Sequence, residues 1–139
     1  MMQDAQAATI ALLKRDDDVL ALVKDRVWGE KMPKLEASAY ARGNVVVRHA
    51  PGIAGPGGFL DVVVTTFDVF CYAETPFAAK ALHLEVYRAL KRARRQVVED
   101  TLIHSYEQVG SARATVDPDT QWDCIISSWK CLSAEEQAT

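Results

Sequence analysis

The chain has 139 residues, with 49% hydrophobic and 25% charged side chains, the composition of one globular domain rather than a disordered segment. Lysine and arginine total 16 against 19 aspartate and glutamate, a net charge of -3 that argues against a dedicated nucleic-acid binder. No apolar run approaches the roughly 18 to 20 residues that cross a bilayer, and the first residues carry no export signal, so no membrane partner is expected. Cys71, Cys124 and Cys131 are odd in number and lack CxxC spacing, against both a disulfide scaffold and a structural zinc site.

The whole chain, 1–139, reads as a single domain with a flexible tail from 132. Asp4 to Leu13 predicts a helix with Ala7, Ile10, Ala11 and Leu13 on its apolar face. Among Asp16, Asp17 and Asp18, one carboxylate caps a second short helix, Val19 to Lys24, and the others favour its positive end. No partner ligands stand at calcium-loop spacing. Val27-Trp28 is a short strand or a buried turn, and Gly29 to Gly43 a loop.

Asn44 to His49 is a β-branched strand. Ala50 to Gly58 holds four glycines and two prolines in nine residues, which predicts a loop without regular structure. A longer strand follows from Phe59 to about Tyr72, so the two strands form an antiparallel hairpin with the glycine-rich tip projecting. Thr75-Pro76 starts a helix running to about Arg95. Ala79, Leu82, Val86, Ala89, Leu90 and Ala93 share one face at helical spacing, with Lys80, Arg88, Lys91, Arg92 and Arg95 opposite. Thr101 to Val109 is a third strand, with Leu102, His104 and Tyr106 on one face. Gly110 to Thr120 reads as a turn region because of Asp117-Pro118-Asp119, and Gln121 to Leu132 as a fourth strand.

The fold class is therefore α+β: a mostly antiparallel four-stranded sheet, the long amphipathic helix on one face, and short N-terminal helices partly covering the other. Val62 to Val64 carries valines at odd and even positions, which predicts burial on both faces and favours an oligomer.

No catalytic constellation holds. The Gly52 to Gly58 loop lacks the lysine-serine/threonine ending of a phosphate loop. His49, His83 and His104 lie on separate elements without metal-ligand spacing, and Asp61 and Asp68 point to opposite faces of a strand. A small enzyme using Cys71 or His104 is the weakest alternative. No catalytic residue, metal or cofactor is assigned. The basic end of the long helix keeps two readings: cations placed against the negative helix terminus, or a contact with an acidic surface or phosphate. Phe77 and Leu84 beside Arg88, Lys91, Arg92 and Arg95 give the second reading an interface character.

Four stretches in this order resemble the phage tail-completion family, also called tail terminator or head–tail joining proteins. They are Asp16 to Trp28 (DDDVLALVKDRVW), Val45 to His49 (VVVRH), Phe67 to Leu90 (FDVFCYAETPFAAKALHLEVYRAL) and Asp117 to Cys131 (DPDTQWDCIISSWKC). The resemblance spans roughly residues 7 to 132, and departs at Gly29 to Arg42 and after Arg94. It implies a virion protein made in the host cytoplasm, without cofactor or catalytic residues, at the head-proximal end of a tail. There it forms a ring, usually of six copies, that caps the tail tube and joins it to the head connector. Its partners are then itself, the tube protein and the connector, with DNA as a further contact if the lumen passes it. The expected interface residues are Gly52, Ile53, Gly55 and Gly57 of the loop together with Phe77, Leu84, Arg88, Lys91, Arg92 and Arg95 of the helix. The alternative function is a small nucleic-acid-contacting module that uses the basic face of the 76–95 helix.

Overall fold

The structure, a computed structural model, describes residues 5–24, 26–29, 43–49, 55–56, 63–99, 101–116 and 122–135. Helix α1 spans Ala5–Arg15 and buries Ala5, Ala8, Thr9, Leu12 and Leu13. Those positions follow i, i+3, i+4, i+7, i+8. The face is rotated from the expected one, and Ala7 points to solvent. Thr9 lies within the buried face. Its hydroxyl donates to the Ala5 carbonyl at 2.7 Å and shares a 2.7 Å hydrogen bond with the Tyr106 hydroxyl, so a polar residue is satisfied inside the core.

Helix α2 spans Asp17–Val23, and Asp16 is its N-cap. The Asp16 Oδ1 accepts from the backbone N–H of Asp18 at 3.0 Å and of Val19 at 3.1 Å. This helix starts two residues earlier than Val19, since the carboxylates occupy its first turn.

Strand β1, Val27–Gly29, pairs in parallel with β2, Asn44–His49. Gly43 leads into β2 at φ +95°, and a Cβ there would sit 3.2 Å from the Leu22 carbonyl oxygen, so both conformation and space call for glycine. Strand β2 runs antiparallel to β4, Val63–Ala73, as expected of a hairpin. The two-residue β3, Gly55–Pro56, extends the same arm by pairing with Val64 and Val63, so the glycine-rich stretch is not wholly irregular. Residues 50–54 and 57–62 lie outside the described residues.

Helix α3 spans Pro76–Arg92, with the Thr75 hydroxyl accepting from the Ala78 N–H at 3.1 Å. Its buried face is the expected one, with Ala93 buried just past its end. The helix stops short of Arg95, which takes φ +49° and turns the chain into β5, Gln96–Val98. Strand β5 pairs with β6 and buries only Val98.

Strands β6, Thr101–Val116, and β7, Asp123–Glu135, are both longer than their sequence signals. Gly110 to Val116 is strand rather than turn, because pairing with β7 resumes at Arg113 opposite Ile126 and runs to Val116 opposite Asp123. Ser133 to Glu135 is strand rather than frayed tail: Ser133 is fully buried between Val63 and Ile103. A bulge at His104 places Ile103 opposite Ser133 but Ser105 opposite Leu132. Ile103 and Tyr106 therefore share the buried face, and the expected grouping of Leu102, His104 and Tyr106 fails. A second, larger bulge at 110–112 faces Ser127 and carries Gly110 at φ +73°.

Among the described residues the sheet has six strands in the order β1-β2-β4-β7-β6-β5, with β3 as a short addition to β4, rather than four. It curls into a half-barrel. The three described helices pack on its inner side, since residues of α1, α2 and α3 join Val45, Val47, Phe67 and Trp129 in one core. The N-terminal helices do not cover the outer face, contrary to expectation. Instead α1 ties the two ends of the curl together. Gln6 donates to the Val47 carbonyl of β2 at 2.9 Å, Thr9 reaches Tyr106 of β6, and Arg15 pairs with Glu99 after β5 at 3.0 Å. Trp129 anchors the centre: it is fully buried, tilted against Tyr87 at 5.7 Å, and its indole N–H donates to the Ser127 hydroxyl at 2.8 Å.

Candidate functional site

The groups with chemical potential are placed for packing. His49, His83 and His104 stand on β2, α3 and β6. Among the described residues no three histidine, cysteine, aspartate or glutamate side chains converge on a point that would hold a metal ion. All three cysteines are buried and none is in a disulfide. Burial pushes the Cys71 thiol well above its ordinary range, with a smaller push from Cys124, and burial pushes Cys131 up to about 12. Neither is a thiolate at neutral pH, so neither is poised as a nucleophile. His83 has its Nδ1 buried without a hydrogen-bond partner, beside the Tyr87 ring at 6.5 Å, and burial lowers its pKa. Asp68, on the outer face, accepts from the Ser128 hydroxyl at 2.7 Å. Asp61 lies outside the described residues.

What remains is surface. The exposed stripe of α3 carries Phe77, Leu84, Arg88 and Lys91, and Phe77 is 84% exposed. From Phe77 to Lys91 the stripe runs about 21 Å at 1.5 Å per residue. The arginines of this region divide into two groups. Arg92 reaches across to Asp16 at 2.7 Å, on the oxygen that the α2 cap leaves free, and Arg88 pairs with Glu85 one turn earlier at 3.0 Å. Lys91, Arg94 and Arg95 are exposed and have no ion pair among the described residues. Both readings of the basic end thus apply, to different residues. An open pocket of about 210 Å³ lies between Arg15, Asp16, Arg92 and Gln96, and both of its guanidiniums are already paired.

Of the loop residues expected at an interface, Gly52, Ile53 and Gly57 lie outside the described residues, and Gly55 is in β3. The sheet register puts Pro56, Val63, Ser133, Ile103 and Gln96 in one row. The β3 arm and the end of α3 therefore lie at the same end of the sheet, four strand spacings or about 19 Å apart along it.

Two further surfaces were not marked by sequence. The outer sheet face presents Trp28, Arg48, Phe70 and Tyr72. The Trp28 indole donates to Asn44 at 3.1 Å, the Arg48 guanidinium lies 5.6 Å over the Phe70 ring, and Phe70 stacks with Tyr72. The other is the outer edge of β6. Strand β5 pairs only with Thr101, Leu102 and Ile103, so from Ser105 to Val116 this edge has no strand partner among the described residues.

No family model and no curated protein matches the chain. Among solved structures it is similar to a chain of the virion of a native gene transfer agent (GTA) particle, with a TM-score of 0.68 and 19% identity over 93% of each chain. At that identity the likeness is one of fold.

Proposed function

We propose that the protein is a structural component of a phage-like particle and, within it, a tail-completion protein. In this reading it assembles as a ring, usually of six copies, that caps the tail tube and joins it to the head connector. The observation that carries the reading is the likeness in fold to a gene transfer agent virion chain over 93% of both chains. The order of the four resembling sequence stretches supports the finer role. The surfaces agree with it: an open strand edge and exposed apolar side chains on α2 and α3 are what a subunit of a larger assembly carries. A role without catalysis fits thiols held protonated by burial.

The test is joining. Purified protein is added to tails and heads that lack it, and particles are imaged. Full-length protein restores joined particles under this reading. Deleting Gly52 to Gly58 leaves a folded ring that no longer joins them, and joining that survives the deletion removes the loop from the proposal.

The nucleic-acid reading has one favouring observation, the unpaired cations Lys91, Arg94 and Arg95 at the end of α3. Reversing those three charges, while leaving Arg88 and Arg92 in their ion pairs, abolishes DNA retention under that reading and leaves ring formation intact. A retention that does not weaken steeply with salt argues against it.

A further inference from the structure

We infer that the outward stripe of α3 seats an acidic amphipathic helix of a different protein of the particle. The inference rests on the reading of the chain as a virion subunit and names the chemistry of one partner. Phe77, Ala81, Leu84, Arg88 and Lys91 follow one another at intervals of four, three, four and three residues. All five are exposed, and they lie opposite the row that α3 buries from Ala79 to Leu90. This is the 3.5-residue spacing by which one helix lies along another. The stripe is apolar in its first half, where Phe77 is 84% and Leu84 43% exposed, and cationic in its second.

The charge of the occupant follows from how charge is distributed along the chain. Between 76 and 95 there are six lysines and arginines and one acid, Glu85, whereas the rest of the chain has ten against 18. Within the fold Glu85 answers Arg88 and Asp16 answers Arg92. Lys91, Arg94 and Arg95 have no ion pair among the described residues. A partner with apolar side chains opposite the first half and carboxylates opposite the second answers both halves. Duplex DNA would answer the cations alone and set Phe77 and Leu84 against phosphates.

The form of the occupant follows from the helix itself. The backbone N–H and C=O groups of α3 are spent on its own turns, so no strand can add to it and contact is made through side chains. A helix of about 14 residues covers the roughly 21 Å of the stripe. Ala81, small between Phe77 and Leu84, leaves a hole for a partner's side chain. No described helix of a second copy has the required form. Helix α1 carries Lys14 and Arg15 and no acid, α2 spans seven residues or about half the stripe, and α3 is itself basic. The partner is therefore another protein.

The experiment uses full-length chains in the joining assay. At limiting protein, Phe77→Ala and Lys91→Glu are each expected to lower the yield of joined particles at least about tenfold with the native mass of the ring unchanged, and Lys91→Arg to keep the yield. Circular dichroism melting checks that the variants stay folded, as both side chains point away from the core. Beside this, a Leu84→Cys chain carrying a benzophenone maleimide is mixed with unmodified chains, the native cysteines being buried, and joined particles are illuminated. The expected cross-link is to a segment of another virion protein with apolar and acidic side chains at spacings of three and four. Full joining by either variant overturns the inference, and so does a cross-link to a second copy, to DNA, to a basic segment or to nothing. Variants that no longer form the ring also overturn it, placing the stripe between subunits and leaving the ring reading standing. An unmodified chain that neither forms a ring nor joins particles removes both.

Discussion

Asp16 is the residue whose removal most sharply tests how the helical layer is held. One carboxylate oxygen caps α2 through two backbone N–H groups, and the other binds Arg92 at the end of α3. Loss of an aspartate cap costs about 1 kcal/mol, within a range of about 0.5–2. The ion pair adds less. The Arg92 side chain is 57% exposed, so solvent screens the pair and its share is about 0–1 kcal/mol. Asp16→Ala is therefore expected to destabilise the chain by about 1–2 kcal/mol, a fall of about 3–6 °C in melting temperature for a domain of this size. Asp16→Asn separates the two roles, because asparagine caps as well as aspartate but leaves Arg92 without its partner. Its cost should match that of Arg92→Ala, below about 1 kcal/mol. The assay is urea and thermal unfolding followed by circular dichroism, with a double-mutant cycle over Asp16 and Arg92. If Asp16→Asn proves as damaging as Asp16→Ala, the cap is not the larger contribution and this reasoning is wrong.

Three further outcomes follow from the interior. Trp129→Ala empties the centre of the core and should cost about 3–5 kcal/mol in chemical unfolding, a loss under 1 kcal/mol showing that Trp129 is not the anchor. His83 has a folded pKa below its ordinary 6.5, so the unfolded chain takes up the proton first as pH falls. Its neutral form contributes stability that is fully present above pH 6.5 and is lost as pH drops from there through the folded pKa. His83→Gln should flatten that part of the stability profile, and an unchanged slope would assign it to other groups. Native protein should leave Cys71 and Cys131 unmodified by a thiol reagent at pH 8 until urea unfolds it, whereas rapid labelling would contradict their burial.

The long helix was legible from sequence because three independent signals coincide on it: the Thr75 cap, Pro76 at the first turn, and an apolar row at 3.6-residue spacing. The hairpin of β2 and β4 was legible from its β-branched runs. The rest depended on partners far along the chain. Thr9 looks like a surface residue until Tyr106, 97 positions away, supplies its hydrogen bond. The bulge at His104 leaves no mark in the sequence, yet it swaps the faces of every residue after it. Gly110 and Asp117-Pro118 read as punctuation, while β6 continues past Gly110 because β7 pairs with it again from Arg113, beyond the bulge. The three residues of β5 expose two of their side chains and offer no periodicity to detect. At the surface, the basic stripe was visible but its division was not. Arg92 is structural only because Asp16, 76 positions earlier, lies beside it.

The account rests most directly on assembly. The measurement is the native mass of the full-length protein by light scattering, across concentration and salt and with tail tubes present or absent, followed by particle imaging. A closed ring of about six subunits, free or seated on the tube end, is the predicted result. A chain that stays monomeric under every condition and binds neither tube nor connector would contradict it.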